Sequence, residues 1–476
     1  MRTALPLLLP VFLVAFFFSS LAKAVTPRDF GAVGDGVADD TEALQRAVDE
    51  TQTGQVYFPR GIYRITNTII IPLKERGPVN LDGAGGGARM VMAGPGPAFR
   101  FIGNHTGTAA PDSFDPVVSE VERTPCVGAI DIVGAHPEAD GIEFTGTVQP
   151  TVRGVQVRKV RHGLLFSGRN RNIIVEGSHI YNCSGIGVFF DHVNLHQANI
   201  ADNHISYCKA GGIRLIGGEV RDLQITGNDI EYNYDLEAEA SADVWIDVAD
   251  GSVEEGTIAG NTIQARVSPN GANIRFEAPV KPEARGRAGL WTISGNLIGN
   301  QATNIHLKNT TGVAVTGNHI YTGAENTIHL EGARHIVVSG NSLDQDHNRG
   351  KDLANGIRIE NCEGVLLQGN LLNDACAGDD ARGGAVSVLN SRETLISACQ
   401  IFEPRHCGIF IENSRNTSVT DCQILDRTDG GTMRAAVEVT GTNPGVIIRD
   451  ILYHEGNKGG IVAPEGAVLQ DNIRAE

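Results

Sequence analysis

Apolar and polar residues alternate along this chain in short bursts, each closed by glycine or asparagine before the next begins. Residues 304–343 say nearly the same thing twice: NIHLKN is answered by NTIHLEG and VAVTGNHI by IVVSGNSL, so that His306 recurs as His329 and Asn318 as Asn341, 23 residues on. The first half of the phrase returns as GLLFSG, GIRLIG, DVWIDV, NIRFEA, GIRIEN, GIFIEN and AVEVTG. Each reads apolar-x-apolar between turn residues, the period-two pattern of a half-buried strand. Helical periodicity is absent from these units.

The second half of the phrase carries an asparagine that recurs as Asn203, Asn228, Asn261, Asn296, Asn318, Asn341 and Asn370, with gaps of 25, 33, 35, 22, 23 and 29 residues. Decayed copies hold Ser178 before this run and Cys399 and Cys422 after it. A repeat of this length with short strands and no helix predicts a solenoid. Leucine-rich repeats are excluded because the consensus here is not dominated by leucine. Three short strands per turn fit the shorter repeats, which gives an all-β fold: a single-stranded right-handed parallel β-helix. Equivalent positions then stack at about 4.8 Å. The asparagines are expected to form a side-chain ladder at a tight turn and to take the left-handed backbone conformation there. Cys183 and Cys208, each five residues past a ladder position, should stack as free buried thiols.

Ahead of the repeats stands VTPRDFGAVGDGVADDTEALQRAVDETQTGQVYFPRGIYRI. Its elements Asp29-Phe30-Gly31-Ala32, Gly34-Asp35-Gly36, Asp39-Asp40-Thr41, Ala43-Leu44-Gln45 and Phe58-Pro59-Arg60-Gly61 resemble the amino-terminal signature of the pectate-lyase-like superfamily, in its rhamnogalacturonase and epimerase branch. The resemblance implies a pectin lyase-like solenoid. Asp39 with Glu42 reads as a capping box opening a short helix that runs to about Thr51 and covers the open end of the coil. The expected organisation is a signal peptide at 1–24 and one domain at 25–476, with a cap region at 25–70 and repeated coils from about 98 to 465.

The signal peptide rests on MRTALPLLLPVFLVAFFFSSLAKA, one arginine and a long apolar run before a small-residue cleavage site. Export to a secreted or periplasmic location follows, with no membrane association once the leader is gone. Losing Arg2 and Lys23 takes the formal charge from −17 to −19. A surface that acidic repels nucleic acid, and a polyanionic substrate needs a local basic site.

Such a site is legible on the strands. In Ile-His-Leu the flanking residues point inward and the histidine outward. Aligned over all coils, the outward column reads Glu143, Leu165, Gly187, Arg214, Trp245, Arg275, His306, His329, Arg358, Ser387, Phe410, Glu438, and two residues on a second column reads Ile216, Asp247, Glu277, Lys308, Glu331, Glu360, Leu389, Glu412. From Arg214 to Arg358 the face spans about 24 Å, enough for several sugar units. Trp245 is expected to be exposed for sugar stacking. The longest repeat intervals insert loops around the same coils.

Three readings of the chemistry follow. A lyase or epimerase removes the proton alpha to a uronate carboxylate, which calls for a base and for neutralisation of the carboxylate. His306 and His329 with Arg275 and Arg358 are the catalytic candidates, and Arg214, Trp245, Lys308, Glu331 and Glu360 the substrate-binding ones, for an acidic polysaccharide. The resemblance also implies Ca2+ as a cofactor, with Asp247 and Glu277 as oxygen ligands. Glycoside hydrolysis needs two carboxylates across the bond; here the resemblance offers Asp379-Asp380 and His406, but Cys407 stands where a Gly-His-Gly motif needs glycine. The third reading is a non-catalytic carbohydrate binder. A separate group, His179, His204 and Asp229, stacks just past the ladder on another face, with Tyr181, His192, His196, Tyr207 and Lys209 nearby.

Overall fold

The computed structural model describes residues 24–107, 111–280, 288–345, 356–374, 378, 383–428 and 431–475. The chain winds as an all-β parallel solenoid of about 15 turns. Each turn lays down three short strands, and every strand pairs in parallel with its counterpart one turn away. Three sheets result. The first runs through Ala139–Thr145, Gly211–Ile216, Ala242–Asp247, Ala272–Glu277 and Ile357–Glu360. The second includes Glu219–Thr226, Ser252–Ala259 and Ala288–Ser294, and the third His179–Tyr181, His204–Ser206 and Asp229–Glu231.

Alternation puts one side of every strand into a single continuous core. Under the first sheet Phe101, Phe144, Phe166 and Phe190 stack with ring centroids 4.8, 5.5 and 5.2 Å apart. That spacing is set by the inter-strand step, so the rings satisfy backbone pairing and aromatic contact together.

The asparagine ladder forms as the repeats require. Asn228 donates from its backbone N and its Nδ2 to Asn261 Oδ1 at 2.9 and 3.0 Å, and its Nδ2 also donates to the Ile200 carbonyl at 2.8 Å. The same three bonds recur at Asn203, Asn261, Asn296, Asn318 and Asn341. Both amide hydrogens are used, and each oxygen from Asn228 to Asn370 accepts twice while that of Asn203 accepts from the Ser178 N–H, so the buried amides are satisfied. The left-handed conformation expected of the asparagines belongs instead to the residue before each: Gly227, Gly260, Gly295, Gly317, Gly340 and Gly369 have φ between 60° and 67°, and Asp202 has 56°. Glycine takes the bend, which leaves the asparagine extended enough to reach both neighbours. A corner ladder not legible in the repeats joins Cys362, Ser391 and Ser414, each backbone N–H donating to the hydroxyl one turn on at 3.0 and 3.1 Å.

The amino-terminal helix spans Thr41–Glu50 and buries Ala43, Leu44, Ala47 and Val48. The expected Asp39–Glu42 capping box is absent. Asp39 instead accepts from the Thr41 N–H at 3.1 Å, while buried Asp40 accepts from the Val33 and Gly34 N–H groups at 2.7 and 3.0 Å. Asp40 ties the helix start to the preceding loop, and Asp39 ties it to the Thr66 hydroxyl on the neighbouring turn. Coil pairing also extends past the 98–465 stretch, from Asp35–Asp39 on Gly61–Ile65 to Leu452–Tyr453 on Ile473–Arg474. Backbone pairing needs no particular side chain, so coils persist where the phrase has decayed. Every described cysteine is a free thiol, Cys183 and Cys208 among the buried ones. The expected signal peptide at 1–24 lies, except for Ala24, outside the described residues, and no described helix is long and apolar enough to cross a membrane.

Candidate functional site

The register of the first sheet places Arg214, Trp245, Arg275, His306, His329, Arg358, Ser387, Phe410 and Glu438 on successive strands in that order. The second column is likewise in line from Ile216 through Asp247, Glu277, Lys308, Glu331, Glu360 and Leu389 to Glu412. One position is corrected: Phe189, not Gly187, pairs with Arg214. The two turns keep a constant offset of 25 residues, from His179–His204 through Phe189–Arg214 to Asn194–Glu219, so Gly187-Val188-Phe189, and not the similar Gly185-Ile186-Gly187, answers Gly212-Ile213-Arg214.

The two histidine rings lie parallel at 3° with centroids 4.8 Å apart. His306 Nε2 sits 3.3 Å from Glu331 Oε2, and Lys308 Nζ lies 3.1 Å from the other oxygen of the same carboxylate. Together they pull the Glu331 carboxyl down to about 2, the His306 hydrogen bond contributing most. Burial, reinforced by the neighbouring His306, lowers His329 to about 4, so its imidazole is neutral across the ordinary working range. Its Nε2 lies 3.7 Å from Glu360, which is held by Arg358 Nε at 3.0 Å.

At the other end of the row Trp245 is only 8% exposed, which overturns the expectation of an open stacking platform. The Arg214 guanidinium lies over its ring at 3.9 Å and that of Arg275 at 5.2 Å. The face of an indole attracts cations, and two arginines one strand away on either side cover it. Arg275 is itself 7% exposed, donating to Glu277 Oε1 at 2.9 Å and to the Asn270 carbonyl. An open groove of about 550 Å³ lies over this end, lined by Arg214, Trp245, Arg275, Glu277, His306 and Lys308. Its rim is formed by Glu239, Ala240 and Asn270, which come from the long repeat intervals. His329 and Arg358 continue the row beyond it.

Asp247 and Glu277 are neighbours in register. Burial and then the charge of Glu277 raise the Asp247 carboxyl, while Arg275 occupies Glu277. Ca2+ takes six to eight oxygens, and two carboxylates already flanked by Arg214 and Arg275 do not make such a cage. A compact ligand set does exist nearby: ring nitrogens of His306 and His329 and a carboxylate oxygen of Glu331 lie within 4.8 Å of one another.

Behind the row sits a group the repeats did not single out. Asp243, fully buried, accepts from Asn233 N and Nδ2 at 3.0 and 3.1 Å and from Asn273 Nδ2 at 3.0 Å. Burial pushes its carboxyl up to about 8. Asn233 is itself fully buried in this network. The glycosidase candidates Asp379 and Asp380 lie outside the described residues. On the third sheet His179, His204 and Asp229 are in register, as expected. His192 and His196 are not beside them: they lie on Ile186–Ala201 toward the second sheet, against Asp191 and Asp222.

Three family models match parts of the chain. "Rhamnogalacturonase A/epimerase, pectate lyase-like" covers residues 25–96, "Right handed beta helix region" residues 131–263, and "Periplasmic copper-binding protein (NosD)" residues 287–440. With the observed coil, they describe a right-handed parallel β-helix protein whose amino-terminal part is similar to the pectate-lyase-like family. Among curated relatives, a glucan 1,3-beta-glucosidase of Cochliobolus carbonum is 42% identical over 59 residues, 12% of this chain and 8% of that protein. Mannuronan C5-epimerase AlgE1 of Azotobacter vinelandii is 52% identical over 42 residues, 8% of this chain and 3% of that protein. The matched stretches thus span under a tenth of either relative. Among solved structures, the amino-terminal fragment of bacteriophage Phi29 gene product 12 superposes with a TM-score of 0.52 at 14% identity, covering 89% of this chain and 70% of that one. That likeness is one of fold.

Proposed function

We propose that the chain is an exported polysaccharide-processing protein acting as a lyase or epimerase on a uronic-acid polymer. The observation that carries this reading is the unbroken row Arg275–His306–His329–Arg358 on one sheet face, with a neutral imidazole between two guanidinium groups. His329 is the base. It takes the proton from the sugar carbon alpha to the carboxylate, and the electrons of that C–H bond move onto the carboxylate as an enolate. Arg358 and Arg275 oppose the developing charge, Arg214 and Lys308 bind further along the polymer, and Glu331 orients His306. Expulsion of the glycosidic oxygen, which takes a proton from His306 or water as it leaves, then gives a lyase; delivery of a different proton, from an acid or water on the opposite face, gives an epimerase. The similarity to a mannuronan C5-epimerase supports the same first step.

The test is an ultraviolet assay of the mature protein on pectic, alginate and glycosaminoglycan polymers, with reducing ends counted in parallel. Growth of unsaturated-uronate absorbance that falls about 100-fold or more in His329→Ala is the lyase outcome. Solvent-deuterium incorporation without absorbance is the epimerase outcome. One observation favours glycoside hydrolysis as a second reading: Asp247, raised by burial, stands beside Glu277, which Arg275 holds. New reducing ends without absorbance, lost in Asp247→Asn, would replace the lyase reading with that one. Binding without turnover would leave a carbohydrate-binding protein.

A further inference from the structure

The third sheet carries a side-chain cluster that has no part in the groove. His204, Asp229 and Glu231 bring one ligand atom each within 4.8 Å of the others. Asp229 lies directly across from His204 in register, and Glu231 is two residues along, on the same face of its strand. His204 Nε2 is 3.9 Å from Asp229 Oδ2. One turn before, His179 is in register with His204, its ring edge-on at a centroid distance of 5.8 Å.

The charge balance here differs from that on the first sheet. There Glu277, Glu331 and Glu360 each have an arginine or lysine within 3.1 Å. Asp229 and Glu231 have no such partner among the described residues, and their carboxylates converge on an imidazole that is not a fixed cation. The buried Oδ1 of Asp229 receives no hydrogen bond among the described residues. Glu231 is held from the next turn by the Gln264 amide, which orients it. Two carboxylates turned toward each other repel unless a proton or a cation sits between them, and burial together with the charge of Glu231 already raises the Asp229 carboxyl.

We propose that His204, Asp229 and Glu231 bind a divalent first-row transition ion, with His179 within reach as a fourth ligand. The donor set is the nitrogen-plus-oxygen kind that Zn2+ and Co2+ accept. Ligands of one such ion stand at most about 4.2 Å apart, so small side-chain rotations close the site. The ion would join His204 on one turn to Asp229 and Glu231 on the next, and His179 would extend the clamp to a third turn. Its role is then to staple coils on the face away from the polymer.

The test uses untagged, metal-stripped mature protein titrated with Co2+, followed by its visible d–d absorption, and with Zn2+, followed by calorimetry. Because the groove has its own His306–His329–Glu331 set, every measurement is repeated in a His306→Ala, Glu331→Gln background. In that background one equivalent of metal remains, and affinity drops at least tenfold in His204→Ala and in Glu231→Gln. Zn2+ also raises the unfolding temperature only when His204 is present. Loss of all binding in the groove background overturns the proposal, as does stoichiometry unchanged by His204→Ala. His204→Gln, which keeps the size of the side chain, answers the same question if His204→Ala fails to fold. Neither outcome depends on activity toward polysaccharide, so this test and that of the proposed function fail separately.

Discussion

The asparagine corner and the first-sheet face are built by the same device, one position repeated turn after turn, and they use it in opposite ways. At the corner identical residues stack, because an amide both donates and accepts and so completes itself against its own copy. On the face a run of identical charges would repel, so the stacked positions differ: arginine on tryptophan on arginine, then two histidines, then arginine, with a carboxylate beside each cation. The corner is closed and fully satisfied. The face keeps unpaired capacity, including a Trp245 Nε1 and a His329 Nε2 without hydrogen-bond partners among the described residues. Repetition that saturates its own bonds holds the coil together; repetition that does not leaves groups for a ligand.

The contrast can be broken from either side. The largest effect is expected on the face: His329→Ala lowers the rate on the polymer by about 100-fold or more, with the unfolding midpoint in denaturant unchanged within error. A parallel loss of stability would make His329 a structural residue. Next comes the corner, where Asn296→Ala strands the Asn261 N–H groups and the Ile258 carbonyl. That substitution costs about 2–4 kcal/mol in denaturant unfolding and leaves substrate affinity alone.

The pH dependence of stability separates the two regions further. His329 is lowered from 6.5 to about 4 in the folded state. As pH falls below 6.5 the unfolded chain therefore takes up a proton that the folded chain refuses, and stability declines until about pH 4. The decline amounts to about 3 kcal/mol and vanishes in His329→Gln. Glu331, lowered from 4.5 to about 2, stabilises above pH 4.5 and loses that contribution as pH falls through 2. Glu331→Gln removes the second decline and leaves the first. No change at the corner alters either window. The smallest effect is a repair: Asn370 Nδ2 meets Cys399 Sγ at 3.9 Å where the ladder ends. Cys399→Asn adds a rung and about 0.5–1 kcal/mol; a loss of stability would mean the site is too tight for an amide.

The coil was legible because its cause is local and periodic. Alternation in Ile-His-Leu and the recurring asparagine are set by strand geometry and amide chemistry, both of which repeat with every turn, so counting residues recovered the ladder and both outward columns from Arg214 onward. The misplaced Gly187 shows the limit of matching phrases, since Gly185-Ile186-Gly187 resembles Gly212-Ile213-Arg214 while the constant 25-residue offset pairs Phe189 with Arg214. What only the tertiary structure decided lies where side chains from different turns compete for the same space. Nothing in DVWIDV reveals that arginines above and below will cover Trp245, because that depends on their reach across neighbouring strands. Nor does the sequence disclose that, among the described residues, no arginine or lysine pairs with Asp229 or Glu231 while Glu277 and Glu331 have such a partner. Periodicity settles which residues stack, whereas long side chains settle by contact, charge and burial which of them remain available.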